Sequence, residues 1–162
     1  MITYTNHKMS DTLINVLYID DEIHNLNAFR AGFRRLFNIF LAESAAEGRK
    51  ILERENIHVL LTDQRMPVMT GIEFLESILE EFPEPIRILM TGFADINAVI
   101  DAINKGKVYK YIQKPWMEDD LRIHIEKAYD IYSLRKEKRD LTQKILETNK
   151  KIEELLQQDL LP

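Results

Sequence analysis

Five short apolar runs alternate with four stretches of helical period along most of this chain, and that alternation limits its possible folds most tightly. The runs are "LINVLYI" (13–19), "NIFLA" (38–42), "IHVLLT" (57–62), "IRILM" (86–90) and "VYKYI" (108–112). Between them, "NLNAFRAGFRRLF", "SAAEGRKILERE", "GIEFLESILEEF" and "DINAVIDAINKG" carry apolar residues three or four apart, the spacing of one helix face. Several runs are apolar on successive residues, as strands covered on both sides are. Strands and helices in this order predict an α/β, doubly wound, five-stranded parallel sheet. Ser44 and Asp95 are predicted N-caps and Gly106 a predicted stop.

The polar residues at the ends of these runs are the place to seek chemistry, because open parallel sheets bind ligands beyond the carboxyl ends of their strands. The first run ends in Asp20, Asp21 and Glu22, the third in Asp63, the fourth in Thr91 and the fifth in Lys114. Asp20 and Asp21 face one site only if the chain has left the sheet there, since side chains alternate along a strand. Carboxylates gathered at one rim repel each other without a cation. With oxygen ligands and neither Cys nor a neighbouring His, Mg²⁺ is the natural choice. Lys114 has no lone pair for a metal and suits an anion instead, while Thr91 offers a hydroxyl donor. Together they describe a small phosphoryl site.

Composition narrows the classes further. At 162 residues with 45% hydrophobic side chains, the chain is predicted to form one domain of ordinary size with something added. A net charge of −5 and no large basic cluster argue against direct nucleic-acid binding. The absence of Cys excludes a disulfide framework and thiolate metal sites. No apolar run is long enough to cross a bilayer, and "MITYTNHKMSDT" lacks the pattern of a signal peptide. A cytoplasmic protein without membrane attachment is expected.

The stretches "DDE" (20–22), "DQRMPVMTG" (63–71), "TGFAD" (91–95) and "YIQKPW" (111–116), in this order and spacing, resemble the response-regulator receiver domain over about Leu13 to Tyr132. The resemblance implies a flavodoxin-like receiver fold with strand order 2-1-3-4-5. It implies that Asp63 accepts a phosphoryl group from a histidine kinase or phosphotransfer protein. Asp20 and Asp21 would hold Mg²⁺ with Asp63 and the backbone carbonyl of Arg65. Lys114 would pair with the phosphoryl oxygens, Thr91 would move to hydrogen-bond one of them, and Tyr111 falls at the aromatic switch position. Lys114-Pro115 would be a cis peptide, a form that is rare except before proline. Arg65 and Phe93, each two beyond a key residue, would tune the lifetime of the acyl phosphate. The implied activity is a phosphorylation-driven switch that catalyses only its own Mg²⁺-dependent phosphorylation and dephosphorylation.

Two other classes stand beside it. An aspartate-nucleophile phosphatase could use the same acids, but such enzymes usually place a second carboxylate where this chain has Arg65. A phosphorylation-independent scaffold would be favoured by the loss of an acid-site residue, and none is lost.

From Trp116 to Leu161 there is neither Gly nor Pro. A helix there would run well beyond the ten to fifteen or so residues that cross a domain face at about 1.5 Å each. Ile131, Leu134, Lys138, Leu141, Ile145, Thr148, Ile152 and Leu155 follow a 3–4–3–4 spacing, a heptad seam with Leu146 and Leu156 outside it. The expected division is an N-terminal tail (1–12), a receiver domain (13–130) and a helical extension (131–162). The extension is read as a coiled-coil linker joining a homodimer through residues 131–158, or alternatively as a helix packed on a neighbouring domain. It contains no helix-turn-helix pair. "DQRMP" with "YIQKPW" and the extension resembles regulators whose receiver precedes an enzymatic output.

Overall fold

Five parallel strands in the order β2-β1-β3-β4-β5 form the sheet. The computed structural model describes residues 13–161 apart from positions 93 and 95. The expected tail (1–12), the proposed roles of Phe93 and Asp95, and Pro162 lie outside the described residues.

The strands are β1 (Asn15–Ile19), β2 (Asn38–Ala42), β3 (Val59–Asp63), β4 (Ile86–Thr91) and β5 (Lys110–Gln113). The helices are α1 (Ile23–Phe33), α2 (Ala45–Arg54), α3 (Gly71–Ile78), α4 (Ile96–Asn104) and α5 (Glu118–Asp159). Fold class and strand order are as expected, and the differences lie at element ends. The third strand begins and ends later than expected, so that Asp63 lies inside the ladder opposite Met90. The third helix stops at Ile78 rather than near Phe82, although the Phe82 N–H still reaches the Ile78 carbonyl at 2.8 Å, and Pro83 then prevents the helix from resuming. Ser44 caps α2 as expected, its hydroxyl accepting the Glu47 N–H at 3.2 Å. Gly106 ends the α4 region with φ +72°, a left-handed conformation that glycine adopts without penalty.

Alternation along the strands sorts side chains onto two helical layers. Val16 and Tyr18 of β1, Val59 and Leu61 of β3, and Ile88 and Met90 of β4 pack against Leu26, Phe29 and Phe33 of α1 and Leu121, Ile125 and Ala128 of α5. Leu17, Ile19, Leu60 and Leu89 face the other way, against Ile51 and Leu52 of α2, Phe74 and Ile78 of α3, and Val99 of α4. Burial of each large aliphatic side chain contributes about 1.5–3 kcal/mol, and this paired core fixes the sheet register.

Helix α5 is one unbroken element of 42 residues. Its buried positions, Leu121, Ile125, Ala128 and Tyr132, form a single inward stripe that ends at Tyr132. Beyond Ser133 every described residue is exposed, and an ion pair between Arg139 and Glu84 at 3.4 Å reaches back to the domain.

Candidate functional site

The carboxyl ends of β1, β3, β4 and β5 meet at one rim of the sheet. Asp20 follows β1, and its N–H still donates to the Ala42 carbonyl at 3.1 Å. It is fully buried, while Asp21, one residue on, is exposed. The chain has turned between them, as two neighbouring acids serving one site require. That turn is held by the Asp20 carboxylate itself, whose Oδ1 accepts the Glu22 N–H at 2.9 Å, an Asx-type local bond.

Asp63 closes β3 and is buried. By strand parity it points to the same side as Leu61 and Val59, the layer that also holds Tyr18 and Asp20. Lys114 comes in from the end of β5 and sits between the two acids, 2.9 Å from Asp63 Oδ1 and 3.1 Å from Asp20 Oδ2. Its peptide bond to Pro115 is cis. Oxygens of Asp20, Asp21 and Asp63 lie within 4.8 Å of one another, the one acidic cluster of metal-binding spacing among the described residues.

Burial works against charge in all three inner groups. In Asp20 it is outweighed by the Tyr18 hydroxyl, the Glu22 amide and Lys114, which hold the carboxyl below its ordinary value. In Asp63 burial prevails, with the Asp20 charge adding to it, and the pKa is raised although Lys114 and the Gln64 amide pull the other way. Lys114, also opposed by burial, is held above its ordinary value by Asp63 and Asp20. Three carboxylates against one ammonium leave two negative charges at the rim. An all-oxygen donor set with that surplus fits a hard divalent cation such as Mg²⁺.

Thr91 ends β4 and is buried, and by strand phase it falls on the side of Leu89 and the partly buried Tyr111. Its hydroxyl donates to the Gly92 carbonyl at 3.1 Å, and its own carbonyl accepts the Lys114 N–H at 2.9 Å. By strand phase Asp20, Asp63 and Lys114 fall on one side of the sheet and Thr91 and Tyr111 on the other, all at the same rim. Arg65 is exposed in the loop after β3, two residues beyond Asp63 where a hydrolase of the aspartate type would carry an acid.

Residues not singled out in the sequence complete the site. Asn25 Nδ2 donates to Asp20 Oδ2 at 3.0 Å. Gln64 ties the β3–α3 loop together: its N–H donates to the Met90 carbonyl, its carbonyl accepts the Gly71 N–H, and its Oε1 accepts the Ile72 N–H, each at 3.0 Å. Within that loop Val68 is exposed with φ +72°, flanked by a bond from the Met69 N–H to the Pro67 carbonyl at 2.8 Å. This is the strained form of the three-residue turn. Tyr18, buried in β1, donates its hydroxyl to Asp20 Oδ2 at 2.6 Å. A polar position two before Asp20 on the same strand face was the available signal for Tyr18, and an aromatic inside an apolar run conceals it.

Comparison with known proteins agrees with this geometry. The response regulator receiver domain family matches residues 16–126. The chain is 38% identical over 127 residues to the hydrogenase transcriptional regulatory protein HoxA of Cupriavidus necator, covering 78% of this chain and 26% of that protein. HoxA of Bradyrhizobium diazoefficiens is 35% identical over 122 residues, covering 75% of this chain and 25% of the relative. A response regulator receiver domain protein of Clostridium thermocellum has a solved structure that superposes with a TM-score of 0.71 at 31% identity, covering 76% of this chain and 98% of that one. The chain belongs to the response-regulator receiver family and is a phosphorylation-activated signalling module. It spans about a quarter of the length of these curated relatives, which by their names are transcriptional regulators. No helix among the described residues is long and apolar enough to cross a membrane.

Proposed function

We propose that Asp63 is the phosphoryl acceptor, and the observation carrying this reading is Lys114 held between Asp63 and Asp20 beside the exposed Asp21. The donor is a histidine kinase or phosphotransfer protein. An Asp63 carboxylate oxygen attacks phosphorus, an O–P bond forms as the donor's N–P bond breaks, and the imidazole leaves. Asp20, Asp21, Asp63 and the Arg65 carbonyl would hold a Mg²⁺, which would supply charge neutralisation for the phosphoryl oxygens. Lys114 exchanges its carboxylate partner for a phosphoryl oxygen, so its ammonium offsets the charge moved onto Asp63.

Switching follows from the added charge. A phosphoryl group brings acceptor oxygens to the end of β3, and the Thr91 hydroxyl, bonded to the adjacent Gly92 carbonyl at 3.1 Å, turns to meet one of them. The space it leaves admits Tyr111, on the same layer, and alters the surface of α4, β5 and α5. Signal then leaves along α5, whose residues 131–158 join two copies of the chain. The chain works in the cytoplasm as the receiving portion of a longer regulator does, without itself contacting nucleic acid or membrane.

Intact-mass measurement after incubation with Mg²⁺ and a small phosphodonor tests the site. The parent chain gains one phosphate, and Asp63→Asn gains none. Equal uptake by Asp63→Asn on another acid overturns the assignment.

A further inference from the structure

Asp20 accepts four donors, unevenly divided between its oxygens. Oδ2 takes the Tyr18 hydroxyl at 2.6 Å, Asn25 Nδ2 at 3.0 Å and Lys114 Nζ at 3.1 Å, while Oδ1 takes only the Glu22 N–H at 2.9 Å. A carboxylate offers about two acceptor positions on each oxygen. Oδ2 is therefore saturated, and the remaining lone pair is on Oδ1.

The shortest of these bonds comes from a residue with no other part in the site. Tyr18 is fully buried in β1, its ring 5.0 Å from that of Phe29. Trp116, two residues past Lys114 and two before the start of α5, lies beside the phenol, both rings resting on Phe29. The Trp116 indole packs edge-on to Phe29 at 6.2 Å and against Phe33 at 5.9 Å. The β5–α5 connection thus grips Asp20 twice, directly through Lys114 and indirectly through Trp116 and Tyr18. For packing alone, phenylalanine would fill the same place without a polar atom to satisfy. The hydroxyl is there for Asp20.

We infer that Tyr18 is a positioning residue of the acid centre: its hydroxyl pins Asp20 Oδ2 inward, presents Oδ1 to the divalent cation, and ties Asp20 to Trp116 at the foot of α5. This rests on the reading of Asp20, Asp21 and Asp63 as the cation site. Cation binding then registers at the base of α5 by a route separate from Thr91 and Tyr111.

Trp116 is the single tryptophan of the chain, so its fluorescence reports on this route without labelling. The test is MgCl₂ binding to the full chain, followed by calorimetry and by Trp116 emission, in the parent and in Tyr18→Phe, with thermal melting as the check on folding. Removing an outer partner of a metal ligand typically weakens affinity about tenfold or more. Tyr18→Phe is expected to raise the Mg²⁺ dissociation constant by about that factor and to shrink the Trp116 response. Trp116→Phe, followed by calorimetry, is expected to weaken binding in the same direction with Tyr18 left in place. A dissociation constant for Tyr18→Phe within about twofold of the parent, or below it, overturns the role of Tyr18 while leaving the cation site intact. No Mg²⁺ binding by the parent at millimolar concentration overturns the cation site and Tyr18 with it.

Discussion

Gly71 stands against the backbone carbonyl oxygen of Asp63 so closely that a Cβ would overlap it, and the same Cβ would come within 2.8 Å of the Leu89 side chain. The first residue of α3 thereby sets the position of the candidate phosphoryl acceptor. Neither obstacle can yield freely, since one is backbone and the other lies in the core. Gly71→Ala is expected to lower stability by about 1–3 kcal/mol and to slow phosphate uptake by displacing Asp63. Denaturant unfolding and intact-mass kinetics measure the two effects, and an unchanged midpoint would contradict the first.

Lys114 neutralises part of a buried acid pair. Removing one partner of a fully buried ion pair costs about 3–5 kcal/mol. The Lys114 side chain retains 24% exposure, so solvent screening reduces this. Lys114→Met is expected to cost roughly 1–3 kcal/mol and to regain part of it in Mg²⁺, as the cation takes over neutralisation of Asp20 and Asp63. A urea midpoint that does not respond to Mg²⁺ in this variant argues against that account.

Stability is expected to fall with pH through His58. Its Nδ1 accepts the Asn15 N–H at 2.9 Å, and its ring lies 5.1 Å from Tyr129 and 4.8 Å from Tyr132. Burial first, and then the Lys136 charge, hold its pKa below the ordinary 6.5. The unfolded chain therefore takes up the proton more readily than the folded one. This contribution is complete above about pH 6.5 and is lost as pH falls from there towards the lower folded value. Melting temperatures at about pH 7.5 and 5.5 should drop less in His58→Gln than in the parent. Equal drops would rule His58 out.

The outward seam of α5 predicts association. Leu134, Leu141, Ile145, Ile152 and Leu155 are 50–65% exposed, and each buried in a pair contributes about 1.5–3 kcal/mol. Isoleucine at 145 and 152 takes one seam position and leucine at 134, 141 and 155 the other, the arrangement that favours two strands. Sedimentation should show a dimer for the parent and a monomer for a chain ending at Ser133 or carrying Leu141→Asp with Ile145→Asp. If all three sediment as monomers at tens of micromolar or so, the seam belongs against another domain.

Thr91→Ala should take up phosphate yet fail to relocate Tyr111. Structures with and without beryllofluoride decide this. The parent is expected to change its Tyr111 rotamer and the variant to keep it, and an identical Tyr111 in both parent structures sinks the switch.

Fold and acids were legible for one physical reason: strands covered on both faces read as apolar runs, so a carboxylate ending such a run stands out, as Asp63 does. Parity was harder to see. Thr91 ends its strand at the same rim as Lys114 and the acids, but one residue of strand phase puts it on the side of Leu89 and Tyr111. For Asp20 and Asp21 the sequence requires that the chain leave the sheet there, but not that the turn makes one fully buried and the other exposed. Tyr18 and Gln64 were hidden by context, the first as one more core aromatic and the second as a loop polar residue. Their partners, the Asp20 carboxylate and the α3 amide of Ile72, come within reach only when the strands and helices are assembled.

Tyr132 is the last α5 side chain held in the core, and the helix continues to Asp159 without a break. At about 1.5 Å per residue, that arm is roughly 40 Å long, tied back to the domain near its base by the exposed Arg139–Glu84 pair. A stiff rod pivoted at one end multiplies motion: a tilt of about 5° at Tyr132 carries the far tip some 3–4 Å, roughly the width of a methyl group. Rearrangements too small to see at the sheet rim thus arrive at the distal end as displacements large enough to exchange one set of side-chain neighbours for another.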